Sequence, residues 1–122
     1  MKCSADDDDY HVQIRTVDDP LLCFIAEIPN GKFVTQKALA KTVDKYRKVI
    51  RDRLYNGKVP NGKEPPNGTT KVRLTGQLFL DSHHESENDP SGGRGSGPCK
   101  VTNVWEIHPI TKVEVLEIVT SQ

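Results

Sequence analysis

Two imidazoles and two carboxylates, His11, Glu27, Glu106 and His108, fall on segments that read as strands. Residues of these types suit Zn²⁺ or another divalent metal when strand pairing brings them together. The same set suits acid–base work, with a histidine poised near neutral pH. Two plainer readings stand beside these. Glu106 and His108 would bond backbone groups at the Pro109 bend while His11 pairs with Glu27, or the four would touch a ligand without chemistry. Asp81 and His83 flank this set in sequence. His83-His84-Glu85 can take a metal opportunistically, although a solvated loop is the simpler reading. No cofactor is therefore assigned, and a divalent metal is the one that the residue types admit.

The second chemical signal is charge. The 122 residues carry 17 basic and 17 acidic side chains, a pI of about 6.9 and a mean hydropathy of −0.59, which argues against a globally basic nucleic-acid binder. The distribution is uneven: residues 1–29 hold seven acids against two bases, and residues 35–80 hold eleven bases against three acids. Arg15, Lys41, Lys45, Lys48 and Arg51 are the candidates for contact with phosphates or another polyanion. Their scatter also fits a solvated surface. Three Phe, three Tyr and one Trp are too few for a rich stacking platform, and Trp105 reads as core.

The elements that must position these residues follow from periodicity. Tyr10 to Val17 alternates, with Val12 and Ile14 on one face and His11, Gln13 and Arg15 on the other. Asp18-Asp19-Pro20 breaks the run. Leu21 to Ile28 is a nearly continuous apolar strand that Pro29-Asn30-Gly31 ends. Leu39, Val43, Tyr46, Ile50 and Leu54 form one stripe and predict a helix over 35–55, with Thr35 as its cap and Asn56-Gly57 as its stop. Lys71 to Asp81 alternates again around Gly76, which suggests a bulge or bend. Residues 103–120 are strand on both sides of Pro109, kinked or split in two. Long polar loops fill 56–70 and 82–102.

Strand, strand, helix, strand, strand is a small α+β domain over 10–120. A partly open antiparallel barrel of the oligonucleotide/oligosaccharide-binding (OB) type, with one amphipathic helix between strand pairs, is the expected architecture. That expectation leaves one strand near the amino terminus missing or displaced. An open sheet with the helix on one face is the alternative.

Cys3, Cys23 and Cys99 form no C-x-x-C pair. Cys23 reads as a small buried side chain, or as half of a disulfide with Cys99 if the protein is exported. Residues 1–9, with four adjacent acids, read as a flexible tether. Cys3-Ser4-Ala5 before that acidic run looks like the start of a lipoprotein whose leader has been removed. Exported or lipid-anchored placement follows from that reading, and cytoplasmic placement otherwise.

Three segments carry a resemblance. Asp8-Asp9-Tyr10-His11-Val12-Gln13-Ile14 is followed by Ala26-Glu27-Ile28-Pro29. Thr75-Gly76-Gln77-Leu78-Phe79-Leu80-Asp81 precedes His83, and Glu106-Ile107-His108-Pro109-Ile110 lies near the end. Their order resembles a group of small bacterial proteins, mostly uncharacterised and often exported. The resemblance implies a barrel-like domain related in layout to staphylococcal nuclease, and it implies no activity. Of the two arginines and one acid that the nuclease layout uses, this chain offers counterparts for one arginine and the acid, Arg15 and Glu27, and none for the second arginine.

The function expected from these readings is a small binding domain for nucleic acid, another polyanion or a polysaccharide. The alternatives are a divergent metal-dependent, nuclease-like hydrolase using His11, Glu27, Glu106 and His108, or an exported lipoprotein domain that binds a protein partner.

Overall fold

The computed structural model describes residues 1–6, 8–19, 22–80 and 105–120. The chain forms an α+β structure with a five-stranded mixed sheet in the order β1-β2-β3-β5-β4. The strands are β1 (Lys2–Asp6), β2 (Asp9–Arg15), β3 (Cys23–Ile28), β4 (Thr69–Leu80) and β5 (Trp105–Val119). Between β3 and β4 come a 3₁₀ turn (Gly31–Phe33), helix α1 (Lys37–Val49) and a π-helical turn (Ile50–Leu54).

The sheet is not wholly antiparallel and does not close into a barrel. β1 pairs with β2, β2 with β3 and β4 with β5, all antiparallel, but β3 and β5 run parallel. The helical crossover lets β4 enter the sheet two positions from β3. β5 then returns antiparallel to β4 and fills the gap, so its direction matches β3.

The amino terminus departs from the expected tether. Lys2 to Asp6 pairs residue by residue with β2, and Cys3 lies opposite Val12. The four acids do not prevent this, because Asp8 and Asp9 fall at the hairpin, where Asp8 takes a positive φ of 66°. Cys3 is 1% exposed, and its N–H donates to the Tyr55 hydroxyl at 3.0 Å. That hydroxyl donates in turn to the Lys63 carbonyl at 2.7 Å, and Gly62 N–H donates to the Cys3 carbonyl at 2.7 Å. A lipid on the Cys3 sulfur would have to displace this core, so the fold gives no support to an anchor there. Cys23 is buried and disulfide-bonded, whereas Cys3 is a free thiol. Cys99 lies outside the described residues.

The helix begins one residue later than a cap at Thr35 would place it. Gln36, not Thr35, occupies the N-cap and makes no side-chain capping bond. The apolar stripe lies where its spacing places it: Val43, Ile50 and Leu54 are fully buried, with Leu39 and Tyr46 packed against them. These side chains meet Tyr10, Val12, Ala26, Ile28, Ile110 and Val113 from the sheet, forming one core on one face. Asn56 and Gly57 both adopt positive φ and end the helical segment. Trp105, expected in the core, is 46% exposed. Among the described residues, no helix is long and apolar enough to cross a membrane.

β5 is one continuous strand through Pro109, whose peptide bond with His108 is cis. The register against β4 shifts on both sides of Gly76. A Cβ at Gly76 would collide with the Ile107 side chain and the Pro109 carbonyl, so the two backbones approach there as only glycine permits.

Candidate functional site

Alternation along the strands builds the site on the sheet face opposite α1. Tyr10 and Val12 point into the core, so Asp9 and His11 point away from it. His11 lies opposite Glu27 in the β2–β3 ladder. Ile25 is level with Glu106 in the parallel β3–β5 pair, which puts Glu27, Glu106 and His108 on that same face. Phe79 lies opposite Glu106 on β4. Three strands thus deliver their polar residues to one surface, and β4 adds an aromatic ring beside them.

The contacts centre on Glu27. His11 Nδ1 lies 2.8 Å from Glu27 Oε1, and His108 Nδ1 lies 3.3 Å from Glu27 Oε2. One carboxylate therefore engages two imidazoles, one through each oxygen. Asp9, Glu27 and His108 each offer a ligand atom, and these atoms all lie within 4.8 Å of one another. Burial, then the neighbouring Glu27 charge, raises the Asp9 pKa above its ordinary value, while His108, His11 and Arg47 pull it back. The Phe79 ring meets His108 edge-on, with centroids 5.3 Å apart and planes at 68°, and so limits rotation of that imidazole. Glu106 is 2% exposed and sits deeper than the other members.

Asp9 is the site residue that the sequence reading did not single out. It lies two positions before His11, so the alternation that faced His11 outward also places Asp9. Asp81, His83, His84 and Glu85 lie outside the described residues.

The cationic candidates do not gather in one place. Arg51 donates to the Tyr10 hydroxyl at 2.9 Å, and Arg47 stacks over the same ring at 3.9 Å. Arg47 thus fastens α1, and Arg51 the π-helical turn after it, to β2, and both are half-buried. Lys48 pairs with Asp52 one turn on, and Lys45 lies over the Tyr46 ring at 5.3 Å. Lys41 is exposed on α1. Arg15 stands at the far end of β2, about 17 Å of extended chain from Tyr10.

Comparison of the chain with family models, with curated proteins and with solved structures finds no match.

Proposed function

We propose that the sheet face carrying Asp9, Glu27 and His108 is a divalent-cation site, and that the protein is a small binding domain whose ligand completes the coordination of that cation. The convergence of two carboxylates and one imidazole from three strands carries this reading. One nitrogen and two oxygen donors suit Zn²⁺ or Mn²⁺ better than the all-oxygen cages of Ca²⁺. Three protein ligands leave positions open for an oxygen-rich ligand, such as a phosphodiester or the hydroxyls of a polysaccharide. Such a cation would also acidify a bound water, so hydrolysis of the ligand is the catalytic extension of the same site.

The strand order, with the helix between β3 and β4, supports an OB-like layout for this domain. β1 then takes the place of the amino-terminal strand that the layout requires. Polyanion binding along α1 is the weaker reading, because Arg47 and Arg51 are committed to Tyr10.

The test is calorimetric titration of metal-free protein with Zn²⁺, Mn²⁺, Mg²⁺ and Ca²⁺, repeated on Glu27→Gln. One equivalent of Zn²⁺ or Mn²⁺, lost in the variant, is the expected result. Absence of stoichiometric binding by any of the four overturns the proposal. Turnover of an activated phosphodiester by the loaded protein would extend it to catalysis.

A further inference from the structure

A second site lies at the other end of the sheet. The end of β2 and the start of β4 are separated by β3 and β5 in the sheet order, yet both line one cleft of about 380 Å³. The sheet therefore coils far enough for these two strand ends to face each other. The volume falls in the range of about 300–1,000 Å³ typical of small-molecule sites. Arg15 is six residues along β2 from Asp9, about 20 Å of extended chain, so the cleft is distinct from the proposed cation site.

The lining is amphipathic. Ile14, Val17, Val72 and Val119 give it an apolar wall, and Val17 and Val119 are 70% and 54% exposed. Arg15 and Lys71 stand on the same cleft, and no ion pair among the described residues engages either. Glu117, opposite Lys71 in the β4–β5 ladder, is the one acid in the lining. Arg15 and Lys71 outweigh that one carboxylate, so the side chains of the lining are net positive. A guanidinium is the side chain best shaped to take a carboxylate by two parallel hydrogen bonds.

We propose that this cleft binds a medium-chain aliphatic carboxylate, its chain against Ile14, Val72 and Val119 and its head group between Arg15 and Lys71. The net positive charge selects an anion, and the apolar wall selects a hydrocarbon tail over a purely polar anion such as phosphate.

The experiment titrates the full chain with octanoate by calorimetry and by amide chemical-shift mapping, with 1-octanol and octylamine as probes of the same length. Saturable 1:1 octanoate binding, with shifts at the ends of β2 and β4, is expected. Arg15→Glu/Lys71→Glu should weaken it at least tenfold, and Val119→Trp should block it by filling the cleft. Asp9→Asn, at the other end of β2, should leave it unchanged. Circular dichroism of each variant separates lost binding from lost folding. Three results overturn the proposal: no saturable octanoate binding, equal binding of octylamine, or undiminished affinity in the folded double variant.

Discussion

His11 and Glu27 face each other across the β2–β3 ladder, with His11 Nδ1 2.8 Å from Glu27 Oε1. At that distance Nδ1 carries the ring proton and donates it, since a lone pair facing a carboxylate oxygen would repel it. The bond fixes the carboxylate plane and leaves Oε2 on the side of His108. His11 is thereby a positioning residue for the proposed cation site. Loss of such an outer-shell partner weakens metal binding by about 10–100-fold. His11→Ala should show that loss by calorimetry, and Glu27→Gln should remove binding. Equal affinity in His11→Ala and wild type would mean that Glu27 needs no such support.

Asp9 supplies a pH dependence whose sign follows from its environment. Its pKa lies above the ordinary value of 3.8, with burial as the first cause and Glu27 as the second. The folded state then holds a proton that the unfolded state has already released. Stability contributed by the protonated form is complete below the unfolded pKa and falls as pH rises through the folded one. Asp9→Asn should therefore raise the melting temperature of metal-free protein at pH 7 and have little effect at pH 3. The same variant should lose stabilisation by Zn²⁺. Thermal melts at the two pH values, with and without metal, check both halves.

The core was legible wherever periodicity was strong. Leu39, Val43, Tyr46, Ile50 and Leu54 repeat at helical spacing, and burial of that stripe follows from its geometry alone. The outward face of β2 followed likewise from the alternation of His11 with Val12. β1 was not legible, because its stability is non-local: Cys3 is held by Val12 across the ladder and by Tyr55, 52 residues away. The acidic run marks that segment as a tether, although Asp6 and Asp9 pair across the ladder and Asp8 forms the turn. The direction of β5 was equally hidden, since a strand's sequence does not state whether its neighbour runs parallel. Asp9 was submerged in the same acidic run, and only its two-residue spacing from His11 distinguishes it.

Gly76 links the geometry of the sheet to the site. A Cβ there would strike Ile107 and the Pro109 carbonyl, on either side of His108. Gly76→Ala should cost about 1–3 kcal/mol, the usual penalty for forcing extra atoms into a packed contact. The urea midpoint should fall with the slope unchanged. Zn²⁺ affinity should fall as well, because the displaced strand carries His108. A midpoint equal to wild type would show that β4 can withdraw from β5 without loss.

Cys3 gives the chain an alkaline sensitivity. Its thiol is 1% exposed, and burial pushes its pKa from 9.0 up to about 12, against a smaller opposing pull from Arg47. The folded state keeps the proton where the unfolded chain releases it. Stability from this group is intact below pH 9 and is lost as pH rises towards 12, by about 1.4 kcal/mol per pH unit. Tyr55, whose hydroxyl accepts from the Cys3 N–H, is shifted upward by burial in the same sense and adds to the loss at higher pH. Urea titrations at pH 8, 9, 10 and 11 should therefore show a steeper decline for wild type than for Cys3→Ala. At pH 8 the Cys3 thiol should resist alkylation in the folded chain and react once denaturant is added. Parallel pH profiles for the two proteins, or rapid alkylation under native conditions, would place this sulfur at the surface and remove β1 from the core.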